Sequence, residues 1–324
     1  MIAAVGSQTT TAPAAIATCR PASSARHRIV ALVGPTGVGK TALSIELARR
    51  LHAEIVSADS RQVYRRLDIG SAKPTRAQRA AVPHHLIDVV DPQEWFDCAQ
   101  FRRLAVAAIA AIQARHRRVL LVGGTGLYVR ALLEGVYPGP ARDPELRARL
   151  ARDEAATPGI LHRRLQVVDA VTAARLHPHD RVRLIRALEV FERTGRPISV
   201  WQSEHGFRQH DFDVRLLGLW RPRAELYARI GARCQAMVAE GLVEEVTGLY
   251  ASGLDADLPV LRSPGYREIG EYVRGRCTLA GAIARMVQAT RRLAKRQLTW
   301  FRADPRVVWC PPDVSVLARE AEVV

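Results

Sequence analysis

Apolar residues along the chain come in two rhythms. Short unbroken runs end at Gly or Asp: RIVALVG (28–34), AEIVSAD (53–59), HHLIDVVD (84–91) and RRVLLVGG (117–124). Runs of this length without alternation are what strands covered on both faces of a parallel sheet require. Between them the spacing changes to three and four. Leu43, Leu47 and Leu51 recur at i, i+4 and i+8, the stripe of an amphipathic helix. CAQFRRLAVAAIAAIQARH (98–116) reads as a long Ala-rich helix, and another is expected from about Leu127. Strands alternating with helices predict an α/β fold, a parallel sheet core flanked by helices.

After Pro138 the strand rhythm stops. The stretch to about residue 204 is Arg-dense and punctuated by Pro and Gly, with helical spacing only. FDVRLLGLW (212–220) restores a strand, two long helical segments follow (223–253 and 279–302), and RVVWC (306–310) reads as a last strand. The expected organisation is a core of 27–137 and 205–312, interrupted by an all-helical insertion at 138–204. A flexible leader (1–26) precedes it and a tail (313–324) follows.

Charge changes the picture. The 324 residues carry 48 Lys and Arg against 32 Asp and Glu, a formal net charge of +16. That excess favours a polyanionic partner such as nucleic acid. Only Lys40, Lys73 and Lys295 are lysines. Five scattered cysteines without a C-x-x-C pair fit reduced thiols in the cytoplasm, with neither zinc site nor disulfide framework. No apolar run reaches the ~18 residues of a membrane helix.

GPTGVGKT (Gly34, Pro35, Thr36, Gly37, Val38, Gly39, Lys40, Thr41) lies between a strand and a helix, the context that makes it a phosphate-binding loop. Backbone N–H groups and a helix N-terminus face the anion, Lys40 neutralises charge and the Thr41 hydroxyl is placed to ligate Mg²⁺. The loop requires phosphates, but not a nucleotide. A nucleotide hydrolase usually has a strand ending in an acidic Mg²⁺ ligand; here RVLLVGG runs into GGTGLY, which exposes Thr125 at the carboxyl edge of the sheet. Asp59 ends another strand at that edge. A carboxylate beside a phosphate site binds metal, takes a proton or caps a helix.

Seven motifs in order, GPTGVGKT, DSRQVYRRLDIGSAKPT, HHLIDVVDP, LVGGTGLYVRALLEG, RLIRALEV, SPGYREIGEY and TRRLAKRQLTWFR, resemble the tRNA dimethylallyltransferase family from about Ile29 to Arg302. Ser71 stands where Thr is common, and the Ala-rich leader is extra. Without a Cys/His finger near its end, the chain resembles the bacterial form. The resemblance implies that the loop holds the diphosphate of dimethylallyl diphosphate, with Mg²⁺. It implies that Asp59 accepts a proton from N6 of the adenosine 3′ of the anticodon, that Thr125 lies near the scissile oxygen, and that Arg233 stabilises the leaving group. Arg229, at i−4 on the same helix face, competes for that last role.

It further implies that Ser60, Arg61 and Gln62 read the extruded base. Candidate contacts to the anticodon stem-loop of tRNA are Arg147, Arg183, Arg186, Gly265, Tyr266, Arg267, Arg291, Arg292, Lys295 and Arg296. A cytoplasmic monomer is expected. Three other readings stay open at this point: a prenyltransferase acting on free adenine nucleotides, a P-loop small-molecule kinase, and a non-catalytic RNA-binding ATPase.

Overall fold

The computed structural model describes residues 27–207 and 211–323; the leader at 1–26 lies outside them. The first half builds β1 (His27–Val33), α1 (Lys40–Arg50), β2 (Ala53–Ala58), α2 (Arg76–Ala81), β3 (His84–His85), α3 (Cys98–Ala114), β4 (Arg118–Gly123) and α4 (Gly126–Glu134). The helical stretch is α5 (Pro144–Ala156), α6 (Ile160–Val168), α7 (Ala170–Arg175), α8 (Arg181–Thr194) and α9 (Ile198–His205). The chain returns as β5 (Phe212–Leu219), α10 (Arg223–Ala239), α11 (Leu242–Ala251), α12 (Tyr266–Val273), α13 (Leu279–Arg302), β6 (Val308–Cys310) and α14 (Val314–Glu322).

All strand pairs are parallel, in the order β3-β2-β4-β1-β5-β6. Their apolar runs are buried as the unbroken patterning requires: every residue of β2 is inside, and Ile29, Leu32, Leu120 and Leu121 are fully enclosed. The registers Val33↔Gly123 and Ala58↔Gly123 bring the ends of β1, β4 and β2 to one level. Gly34, Gly124 and Asp59 therefore emerge side by side at the carboxyl edge, where open α/β sheets bind ligands.

Two expectations change. The strand expected at 84–91 is only His84–His85. Leu86 and Asp88 take positive φ values of 64° and 58°, which ends extension, and the Asp88 carboxylate turns to Lys73 and Arg79. The segment expected as a tail is instead α14, capped by Asp313, with Leu317 and Ala321 buried in the sheet's core.

The helical stretch has a core of its own. Leu150, Leu161, Leu165, Leu184, Leu188 and Ile198 form an apolar cluster separate from the one around the sheet. Buried carboxylates tie its turns: Asp169 accepts from Thr172 N–H and Ser199 N–H, and Glu154 from Gly159 N–H and Leu161 N–H. No described helix is long and apolar enough to cross a membrane.

Candidate active site

The loop after β1 has Gly34, Gly37 and Gly39 at positive φ, 147°, 83° and 108°. Lys40 Nζ donates to the carbonyls of Gly34 and Pro35, each at 2.9 Å. Three arginines surround the loop. Arg221 Nε donates to Val38 O (2.9 Å), Arg229 Nε to Gly37 O (3.1 Å), and Arg233 Nη1 lies 3.5 Å from Thr36 Oγ1. Burial lowers the pKa of Lys40 to about 8; nearby Asp59 opposes the shift and Arg233 adds to it. Burial likewise lowers the pKa of Arg233.

Asp59 follows β2 directly. Its Oδ1 accepts from the backbone N–H of Arg61 at 2.8 Å and of Gln62 at 3.4 Å. This fixes the carboxylate; Oδ2 accepts from no protein donor among the described residues. Thr125 Oγ1 accepts from Ser60 N–H at 3.0 Å, so its own hydroxyl proton is free to be donated. The close approach of β2 and β4 needs a glycine: a Cβ on Gly123 would lie 2.1 Å from Ala58 O. That contact, not flexibility alone, explains the glycine before the Thr125 turn.

Two cavities open on these groups. The larger, about 730 Å³, is walled by Lys40, Thr41, Asp59, Arg229 and Arg233; with Lys73, Arg76 and Arg79 its cations outnumber the carboxylates of Asp59, Asp68 and Glu240. The smaller, about 290 Å³, is walled by Asp59, Ser60, Arg61 and Thr125 together with Met286 and Leu293. Both include Thr36, Gly37, Asp59, Arg233 and Gln297. Arg233 thus stands at their junction, whereas Arg229 lines only the first. The arrangement can hold a diphosphate on one side of Asp59 and a planar base on the other.

Several residues expected at an RNA surface are turned elsewhere. Tyr266 is 1% exposed. Its hydroxyl donates to Glu245 Oε1 at 2.6 Å, and Glu245 also accepts from the N–H groups of Asp68, Ile69 and Gly70. It braces the loop after Asp59 from inside. Gly265 donates its N–H to Glu268; Arg267 pairs with the same carboxylate but keeps its side chain 56% exposed. Arg147 and Arg186 clamp Glu189, whose side chain is fully buried; that ion pair, not solvent, holds their guanidinium groups. Gln62 accepts from Ser57 Oγ and donates to Ala72 O, which points its amide into the loop. Arg183 is exposed beside Asp180. Arg292, Lys295 and Arg296 are exposed on α13.

Sequence reasoning missed Gln297, Glu245 and Arg221. Gln297 accepts from Thr36 N–H at 2.8 Å and donates to Gly124 O at 3.0 Å, so it bridges the phosphate loop and the Thr125 turn. Its signal was available: Thr290, Leu293 and Gln297 share one helix face, which places a polar amide on an inward stripe.

A family model described as IPP transferase matches residues 62–304. The tRNA dimethylallyltransferase 1 of Citrifermentans bemidjiense is 52% identical over 87% of this chain and 91% of its own length. That of Anaeromyxobacter dehalogenans strain 2CP-C is 51% identical over 91% and 99%. Among solved structures, the full-length tRNA isopentenylpyrophosphate transferase of Bacillus halodurans aligns with a TM-score of 0.67 and 40% identity, over 91% of this chain and 97% of that one. A eukaryotic dimethylallyltransferase described as acting on tRNA aligns at 0.77 and 27%, over 89% and 75%. With the same fold, and half of the residues shared over nearly the full length of such relatives, this chain belongs to the tRNA dimethylallyltransferase, or IPP transferase, family.

Proposed function

We propose that the protein transfers the dimethylallyl group of dimethylallyl diphosphate to N6 of the adenosine 3′ of the anticodon in tRNA. The observation that carries the reading is the position of Asp59 between a cationic cavity and a base-sized one, with Thr125 beside it. The amine lone pair is delocalised into the purine, so the nucleophile is weak. Asp59, anchored through Oδ1, accepts the N6 proton on Oδ2 as the carbon–nitrogen bond forms. The carbon–oxygen bond to the diphosphate breaks with charge developing on the leaving oxygen. Lys40, Arg233 and the loop N–H groups stabilise that charge without reorganising. Thr125 donates its hydroxyl proton toward the bridging oxygen.

The Thr41 hydroxyl, which lines a small void with Ser57, fits Mg²⁺, an ion that prefers oxygen ligands and retains waters. Thr41 would hold it with the diphosphate oxygens, and its chemistry there is charge neutralisation. The target base leaves its stack to reach the smaller cavity, at low cost from a single-stranded loop. A monomer suffices for this chemistry, since every group named belongs to one chain.

A kinase would need an acidic strand end where β4 has Gly123 and Gly124. A free-nucleotide enzyme would not need the cationic face of α13. Incubation of the protein with labelled dimethylallyl diphosphate and an anticodon stem-loop, AMP or ATP separates these readings. Label entering the RNA alone is the expected result; label on AMP, or consumption of ATP, overturns the proposal.

A further inference from the structure

Behind α13 lies a cavity that none of the chemistry above uses. It measures about 1040 Å³ and opens between α4, α13 and the segment 303–306. Val129, Leu133 and Phe301 give it an apolar floor. One rim is set by Arg292, Arg296 and Trp300, which follow one another at i, i+4 and i+8 and so stand on a single face of α13. Lys295 joins them. Arg292, Lys295 and Arg296 form no ion pair with a described residue, whereas the acids of the same cavity are neutralised: Glu134 by Arg130 and Arg306, Asp304 by Arg306. The free charge of this rim is therefore all positive.

Trp300 is 40% exposed, so its ring is open to an incoming group. Its seat is built: a Cβ on Gly126 would fall 2.1 Å from the indole ring, so the ring lies against the first residue of α4, adjacent to Thr125. Arg296 lines this cavity and also the smaller one that holds Asp59 and Thr125. A row of unpaired cations leading to an exposed indole is the combination that binds single-stranded nucleic acid: phosphates along the cations, a base stacked on the ring.

We propose that Trp300 is a stacking platform for one unpaired base of the RNA loop, a neighbour of the adenosine entering the Asp59 cavity, while Arg292, Lys295 and Arg296 hold the phosphates that connect the two. The inference rests on the tRNA reading above and adds a second nucleotide subsite to it. The ring accepts any base, so the platform fixes the path of the strand rather than its sequence.

The test uses the full chain and anticodon stem-loops carrying a single abasic nucleotide at each loop position in turn, with equilibrium binding as the readout. Trp300→Leu keeps the apolar bulk on Gly126 but removes the aromatic face, and Trp300→Phe restores a face. The leucine variant is expected to bind the intact loop about 5- to 150-fold more weakly, the range of one base–aromatic stack. The phenylalanine variant is expected to stay within about threefold of the parent. One abasic position should weaken the parent by a similar factor and leave the leucine variant unchanged. Binding of inorganic diphosphate should not differ among the three proteins. The proposal is overturned if Trp300→Leu binds the intact loop like the parent. It is also overturned if every abasic position costs the variant what it costs the parent, since Trp300 is then only a packing residue. Failure of the parent to prenylate the intact stem-loop would instead sink the functional reading, and that result is separate from the binding cycle.

Discussion

Lys40 shows how one residue carries both the chemistry and its pH limit. Burial brings its pKa from 10.5 to about 8, so the ammonium is only partly charged in mildly alkaline solution. Between those two values the unfolded chain holds more protons than the folded one, and the residue's contribution to stability rises with pH there. Affinity for an anion moves the opposite way, because only the charged form attracts phosphate. Binding of inorganic diphosphate is therefore expected to be flat below pH 8 and to weaken by up to about tenfold per unit above it. Titration calorimetry from pH 7 to 9.5 checks this, and an affinity flat across that range counts against Lys40 as the titrating group. Asp59→Asn isolates the other half of the chemistry. The amide is nearly isosteric and keeps an acceptor for the N–H groups of Arg61 and Gln62, so binding of the stem-loop should survive. Loss of a general base should slow single-turnover prenylation by roughly 10²–10⁴. A rate within a few-fold of the parent would leave Asp59 as a turn-former only. The placement of Lys40, Asp59 and Thr125 at one edge of the sheet was legible because each follows the end of a strand. Gln297, Glu245 and the inward role of Tyr266 were not, because each acts on a segment distant in sequence, and spacing along one chain carries no signal of that contact.

At the scale of elements, the strands and long helices were readable from periodicity alone. What escaped was local: β3 is short because Asp88 is drawn back to Lys73, and α14 follows a Pro-rich turn that reads as an end. The helical stretch gives the clearest revision. Arg147 and Arg186 look like surface charge in the sequence, yet they converge on Glu189, and Arg186 also donates to Pro140 O in the connection between α4 and α5. Burial alone would raise the Glu189 carboxyl, but hydrogen bonds from Arg147, Asp143 N–H and Arg186 outweigh it and hold the pKa at about 2. Stability from this clamp is present above the carboxyl's ordinary 4.5 and is lost as pH falls toward 2. Glu189→Gln leaves two guanidinium groups without a counter-charge and should destabilise the protein by about 3–5 kcal/mol at neutral pH. Thermal melts of parent and variant should converge as the medium is acidified through that range. A constant gap would mean that Glu189 acts through packing and not through charge. A charge-reversal test of RNA binding in this stretch belongs at exposed Arg183, since reversal at Arg186 would break the clamp as well.

For the whole molecule, the formal charge of +16 overstates what an RNA meets, because many arginines are consumed internally. Those on Glu189 are structural, and those around the phosphate loop face a small anion. The face of α13 keeps three unpaired cations together, Arg292, Lys295 and Arg296. Phosphate contacts release counterions, so the logarithm of affinity falls linearly with the logarithm of salt, at about 0.7 per neutralised phosphate for a single strand. Lys295→Ala is therefore expected to reduce the steepness of that line by about 0.7, and to weaken cognate and scrambled stem-loops alike, because a phosphate contact carries no sequence information. Arg147→Ala provides the contrast: it should lower the melting temperature by leaving buried Glu189 short of a partner, while leaving the salt slope where it was. The two variants differ by one positive charge each, so net charge alone predicts the same slope change for both. Equal slopes in the two variants would mean that RNA responds to the overall field of the protein. Divergent slopes would locate the RNA on the α13 face, on the same side as Trp300 and Arg296, within reach of the Asp59 cavity.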